Sequence, residues 1–221
     1  MPERDWVEYF SGTGSDPARW FLHWQYHTPL VDLLRQALPP GSRILDIGCG
    51  VGDTALLLAG FGYQVTGIDI EEPLVDRARE AAARLHVTAA FERGDLRDLA
   101  AHHGRFDATL SLGLMEHFDF DDAAGLLAEQ ARCAPRVIVN IPSVWAALSL
   151  PFVDERPYTL RSLERLGRAA GLVPEVATGY GDVRGRRLHD AVRQVAPRGL
   201  YRWFQKRGYA NSITAIFRRP S

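Results

Sequence analysis

The sequence predicts an α/β fold built on a doubly wound, largely parallel sheet. Three observations carry that expectation. Short apolar runs alternate with amphipathic stretches between residues 43 and 142, the pattern of strands joined by crossover helices. A glycine-rich turn, "GCGVG", separates the first apolar run from the helical stretch after it, as nucleotide-binding sheets require. A chain of 221 residues supplies the core for one such domain with an appended cap.

The elements follow in order. Residues 1–14 lack clear periodicity and run into "SGTGS". Asp16 as N-cap and Pro17 at the first helical position open "SDPARWFLHWQYH", and Thr28-Pro29 repeats that signature before "PLVDLLRQAL". Two short helices with a break near Thr28 are expected, stopped by "PPG" at 39–41, and residues 1–38 form a helical cap. "RILDIG" reads as a buried strand, "DTALLLAGF" as a helix, "QVTGIDI" as a strand and "PLVDRAREAAARL" as a helix. The strand "TAAFER", the turn "GDL", the strand "FDATLSL", the helix "DDAAGLLAEQARC" and the strand "RVIVNI" complete a core over 41–142. Beyond it, 143–221 opens with the aromatic connection "SVWAALSLPFVDERPY". The helix "TLRSLERLGRAAG" is capped by Thr159 and stopped by Gly171. Two closing strands, "LVPEVAT" and "NSITAIFRR", enclose an arginine-rich, partly helical stretch. One domain spanning 1–221 is expected.

Hydrophobic residues at 46% and charged residues at 24% are ordinary for a soluble domain. No apolar run approaches the roughly 20 residues that span a bilayer, and the acidic, aromatic "MPERDWVEYF" is wrong for a targeting peptide. Two cysteines, Cys49 and Cys133, are too few for a disulfide framework. A cytoplasmic location follows as an expectation, with no membrane as partner. Lys206 is the single lysine among 26 basic residues, and with abundant alanine this points to a GC-rich bacterial genome. Residues 182–221 hold ten Arg or Lys against Asp182 and Asp190, a balance of +8, whereas the preceding residues balance at −9. Such a run is expected to be a solvated helix face or a match to the acidic body.

The glycine turn poses the chemical question. Gly48, Gly50 and Gly52 let a ligand approach the backbone closely. A dinucleotide fingerprint would place its third glycine at position 53, where this chain has Asp53. A carboxylate at that helix N-terminus disfavours a pyrophosphate. Asp46, two residues before the first glycine, suits an ammonium or sulfonium instead. Asp69 ends the second strand, placed to accept from ribose hydroxyls. Asp95, in "GDL", is placed to accept from an adenine amino group between the apolar faces of Ile70 and Leu96. S-adenosylmethionine carries both cations and no phosphate.

The segments "LDIGCGVGDTALLLA", "VTGIDI", "GDLRDL" and "FDATLSLGLMEHF", in this order, resemble the successive motifs of class I S-adenosylmethionine-dependent methyltransferases. The resemblance covers residues 41–142. It implies a Rossmann-like, seven-stranded sheet whose last strand is antiparallel. It also implies that Asp46 and the turn residues Gly48, Cys49, Gly50 and Gly52 hold the methionine part. Asp69 would hold the ribose and Asp95 the adenine, with Ser111 and Leu112 completing the methionine contact through backbone. No chemistry is assigned to the Cys49 thiol.

Methyl transfer needs chiefly an aligned acceptor, for which orientation is worth about 7–11 kcal/mol. Glu116 and His117 in "GLMEHF" are the candidate catalytic pair, with His117 as a base where the acceptor must lose a proton. Some relatives bind a divalent metal through E-x-x-E-H; Gly113 stands where the first glutamate would be, so no metal is expected. His23 and His27, four apart, lack the H-E-x-x-H pattern, and a packed or cleft-lining role is expected. His102 and His103 read as exposed. Trp24, His27, Trp145 and Tyr158 are expected to line an aromatic substrate pocket, with Phe152 beside them, beneath a mobile N-terminal cover. The expected activity is methylation of an O, N or C atom of a small organic molecule, a specialised metabolite. Two alternatives stand against it. A nucleic-acid methyltransferase would need "[DN]-P-P-[YF]" where this chain has "SLGLMEH", and an NAD-dependent oxidoreductase would have to accommodate Asp53.

Overall fold

The computed structural model describes residues 5–11, 17–146, 156–183 and 187–220; Asp16 and Phe152 lie outside them. Among the described residues seven strands form one sheet: β1 (Arg43–Ile47), β2 (Gln64–Asp69), β3 (Ala90–Arg93), β4 (Ala108–Leu112), β5 (Arg136–Pro142), β6 (Val173–Tyr180) and β7 (Ser212–Arg218). Their order is β3-β2-β1-β4-β5-β7-β6. β1 and β2 pair in parallel with Asp46 opposite Gly67, and β2 and β3 in parallel with Asp69 opposite Arg93. The last strand, β7, runs antiparallel to both β5 and β6.

Eight helices accompany the strands among the described residues: α1 (Trp6–Ser11), α2 (Pro17–Ala37), α3 (Asp53–Gly60), α4 (Glu72–Leu85), α5 (Phe120–Cys133), α6 (Leu160–Ala169), α7 (Arg187–Val195) and α8 (Arg198–Lys206). None is long and apolar enough to cross a membrane. The chain divides into two compact units, Met1–Leu110 and Ser111–Ser221.

In the first unit, β1 and α3 are core on nearly every side: Ile44, Leu45, Ile47 and Leu56–Leu58 are buried. The expected break near Thr28 is absent, for α2 runs on from Pro17 to Ala37 with Pro29 inside it. An interior proline costs a helix about 3 kcal/mol. Immediately after it, Leu30, Val31 and Leu34 are buried, each worth about 1.5–3 kcal/mol, so their burial outweighs the proline. Thr28 and Pro29 themselves face solvent; Thr28 Oγ1 donates to the Trp24 carbonyl at 3.1 Å. The unpatterned N-terminus also holds a short helix, α1, begun by Asp5, whose Oδ1 accepts from Glu8 N at 2.9 Å. His102, expected to be exposed, is buried in a 3₁₀ turn, its Nε2 3.6 Å from Glu92 Oε1.

In the second unit, α6 begins with a reciprocal capping box between Thr159 and Ser162 and ends before Gly171, whose φ of +74° favours glycine. A Cβ on Gly167 would overlap the Phe217 ring, so the missing side chain lets α6 settle on β7. Asn140 of β5 is buried and donates to Thr214 Oγ1 at 2.7 Å and Tyr180 Oη at 3.1 Å. That bond set ties β5, β6 and β7 together by side chains as well as backbone.

Candidate active site

β1 ends in a backbone turn that only glycine adopts comfortably. Gly48, Gly50 and Gly52 have φ of +71°, +53° and +81°. Gly48 N and Cys49 N both donate to the Ile68 carbonyl, at 2.9 and 3.0 Å, which bends the turn over the end of β2. A Cβ at Gly52 would lie 2.9 Å from both Ala78 Cβ and the Phe91 ring. At Gly50 it would meet the Phe10 ring of α1 at 3.2 Å.

The carboxylates divide the work around this turn. Asp69 Oδ2 accepts from Gly50 N at 2.8 Å and Oδ1 from Glu71 N at 3.0 Å, so Asp69 fixes the turn against the end of β2. Each carboxylate oxygen retains a second lone pair for a ligand. Gly94 N donates to the Asp69 carbonyl at 2.9 Å, which brings the next residue, Asp95, beside the same strand end. Asp95 Oδ1 accepts from Arg97 N at 2.8 Å. Ile70 is 48% exposed although apolar, and Leu96 is half-buried.

Asp46 differs from both. It is only 2% exposed, and its Oδ2 meets no hydrogen-bond partner among the described residues. Burial first, and the nearby Asp69 carboxylate second, push its pKa up to about 7. A buried, unpartnered carboxylate oxygen is costly, and a cation-bearing ligand removes that cost. The same burial, with Asp46 and Asp69, pushes the Cys49 thiol well above its ordinary value. It stays protonated and unreactive.

His23 Nε2 lies 3.2 Å from Thr54 Oγ1 in α3, and the His23 and His27 rings meet at a tilt of 51° with centroids 4.4 Å apart. His27 is buried, and desolvation, then His23, lower its pKa to about 3. It is a neutral packing ring at ordinary pH. Trp24, half-buried, packs edge-on against Phe21 at 5.7 Å.

The second unit holds the remaining candidates. Ser111 is fully buried, and its Oγ has no hydrogen-bond partner among the described residues; Leu112 ends β4 half-buried. Glu116 and His117 sit in a 3₁₀ turn, Met115–His117. Glu116 is buried and its carbonyl accepts from Arg156 N at 3.0 Å. Tyr158 is buried beside it, its carbonyl accepting from Val144 N at 2.9 Å. Desolvation raises the Tyr158 pKa, with Arg156 opposing and Glu116 and Asp119 adding to the rise. Tyr158 and Glu116 are thus electrostatic neighbours. Trp145 stacks edge-on with Tyr209 at 4.9 Å.

Sequence reasoning counted Phe10 among the N-terminal aromatics but missed that its ring covers Gly50, and it missed Arg77, whose guanidinium donates to the Phe10 carbonyl at 3.1 Å and ties α1 to α4. The aromatic N-terminus was visible; its seat on the glycine turn had no local signal.

A sheet with a glycine turn and orphaned acid at the end of its first strand defines a nucleoside-binding α/β domain. Residues 44–135 match the family described as methyltransferase domain. Over this stretch the chain is similar to class I S-adenosylmethionine-dependent methyltransferases. The S-adenosyl-L-methionine-dependent Diels-Alderase iccD of Talaromyces variabilis is 44% identical over 78 residues, 32% of this chain and 27% of that protein. Magnesium-protoporphyrin O-methyltransferase of Synechocystis is 30% identical over 100 residues, 45% of this chain and 44% of that protein. The chain thus matches less than half the length of these curated relatives. The crystal structure of magnesium protoporphyrin IX methyltransferase from Synechocystis PCC 6803 with bound SAH has a TM-score of 0.65 at 18% identity. It covers 100% of this chain and 90% of that one.

Proposed function

We propose that the protein binds S-adenosylmethionine and transfers its methyl group to an O, N or C atom of a small organic molecule, a specialised metabolite, by in-line displacement. The observation that carries this reading is Asp46, a buried carboxylate with an unpartnered oxygen beside a glycine turn. The residues fit the cofactor. Asp46, with the turn Gly48–Gly52, would hold the methionine ammonium; Asp69 the ribose; Asp95, Ile70 and Leu96 the adenine. The backbone of Ser111 and Leu112 would complete the methionine contact. When bound, the cofactor supplies a methyl group already activated by its sulfonium, so the chain has little bond chemistry of its own to do. Its part is to exclude water and align the acceptor.

In this reading Phe10 belongs to the N-terminal cover, and Trp24, His27, Trp145 and Tyr158 to the acceptor's surroundings. Glu116 and His117 are the pair that orients or deprotonates an acceptor hydroxyl or amine. His27 is a poor base, because burial keeps it unprotonated down to about pH 3. A cytoplasmic setting and a bacterial source belong to the same proposal.

The test is to incubate the protein with S-adenosylmethionine and a panel of phenols, amines and enols, following cofactor and acceptor by mass spectrometry. Methylated acceptor and SAH appearing in equal amounts support the reading. A second reading is favoured by the Diels-Alderase relative: a cofactor-dependent cycloaddition of a diene and an alkene, which moves no methyl. An acceptor converted while the cofactor is recovered intact would replace the first reading with the second.

A further inference from the structure

Ten basic residues crowd the last 40 positions, and among those whose side chains it describes the structure separates ones with acidic or backbone partners from ones without a carboxylate. Arg193 reaches Asp182 at 3.4 Å and Asp190 at 3.9 Å, Arg218 reaches Glu175 at 3.5 Å, and Arg219 donates to the Ala131 carbonyl at 3.1 Å. Arg198, Arg202 and Lys206 of α8, and Arg207 just after it, are exposed and pair with no carboxylate among the described residues. Of the two expectations, the match to the acidic body describes Arg193 and Arg218, whereas the cations of α8 lie on a solvated helix face.

The same helix exposes apolar side chains. Tyr201 is buried, and Gln205 Nε2 donates to the Gly181 carbonyl at 3.0 Å and to Asp182 Oδ1 at 3.3 Å, so positions 201 and 205 face inward. Leu200, Trp203 and Phe204, at i, i+3 and i+4, share another face and are 47%, 47% and 42% exposed. Val195, at the end of α7, is 80% exposed. The Arg207 guanidinium lies 4.1 Å over the Trp203 ring, and Trp203 and Phe204 meet edge-on at 5.0 Å. Arg202 and Lys206 line the remaining side of the helix, one turn apart. Inward, apolar and basic faces divide α8 into three.

We infer that α8 with the end of α7 docks the protein on an anionic lipid surface, Leu200, Trp203 and Phe204 entering the headgroup boundary while Arg198, Arg202, Lys206 and Arg207 meet phosphates. Indole and phenyl rings beside aliphatic side chains, flanked by unpaired cations, match such a boundary. A nucleic acid would engage the cations and the rings, but it gives exposed Leu200 and Val195 nothing to leave water for. A second copy of this face would set the same cations against each other. The contact is peripheral, since none of the described helices spans a bilayer. It revises the expectation that no membrane is a partner, and it is independent of the proposed chemistry.

The test is cosedimentation of the full chain with vesicles of phosphatidylcholine alone and of an equal mixture with phosphatidylserine. The protein should pellet with the mixed vesicles, stay in solution with the neutral ones, and be released by salt. Trp203→Ser with Phe204→Ser, and separately Arg202→Glu with Lys206→Glu, should each weaken binding at least tenfold; a surface cation is worth about fivefold. Both variants should keep the parent's melting temperature and affinity for S-adenosylmethionine, because the altered side chains are exposed. The inference fails if the parent ignores anionic vesicles, if it binds neutral ones equally, or if both variants bind like the parent. It also fails if α8 instead supports a salt-sensitive shift of single-stranded RNA or a dimer without vesicle binding.

Discussion

Asp46 concentrates the chemistry at the scale of single residues. Its pKa lies near 7 rather than 3.8 because burial and Asp69 disfavour its charge. In the ligand-free fold the carboxyl therefore holds a proton that the unfolded chain gives up near pH 4. Its contribution to stability is fully present below about pH 4 and is lost as pH rises through about 7, at most about 4 kcal/mol. Binding an ammonium group demands the ionised form, so cofactor binding should release a proton. Affinity for S-adenosylmethionine should fall up to about tenfold per pH unit as pH drops below 7, measured by calorimetry in buffers of different ionisation enthalpy. Asp46→Asn should abolish that pH dependence and weaken binding, while raising the ligand-free melting temperature at neutral pH. A neighbouring substitution, Asp69→Ala, should cost cofactor affinity more than stability. It would leave Gly50 N and Glu71 N without their acceptor at a part-buried turn, a stability cost that the loss of ribose contacts should exceed.

Individual elements obey two different kinds of constraint. The glycine turn is constrained by space: Gly52→Ala would force φ +81° on an L-residue and press a methyl to 2.9 Å from Ala78 and Phe91. Left-handed strain and overpacking together should destabilise the fold by about 2–5 kcal/mol. Gly125→Ala, inside α5 with nothing within 4 Å of the added Cβ, should instead stabilise by up to about 1 kcal/mol; denaturant midpoints compare the two. Helix α2 is constrained by burial. Pro29→Ala should restore a backbone donor at an exposed position and stabilise the protein by roughly 1–3 kcal/mol. Elements with local signals were legible: the Thr159 cap, the Gly171 stop and the strands around the glycine turn stand where the sequence put them. The continuity of α2 was not legible, because proline is a local signal whereas the burial of Leu30, Val31 and Leu34 is a tertiary one. Helix α1 escaped for a related reason, being a single capped stretch held by Arg77 from α4.

Across the whole molecule, the seven-stranded sheet with β7 antiparallel is the one the motif series implied, whereas the strand order came from the structure. The placement of Asp46, Asp69 and Asp95 at or just past strand ends, and of the glycines in the turn, was legible too; their cofactor roles belong to the proposal. The acceptor half was legible only as a list of aromatic residues. Their neighbours, such as Glu116 beside Tyr158, depend on long connections that no periodicity reads. Charge was legible in amount but not in pairing, which is why α8 needed the structure. The central claim is that the crevice beyond β1 selects a cationic thioether nucleoside over a dinucleotide, and titration calorimetry with S-adenosylmethionine, SAH and NAD on one preparation tests it most directly. Saturable binding of the first two and none of NAD is the expected result; NAD binding with both nucleosides silent would contradict it.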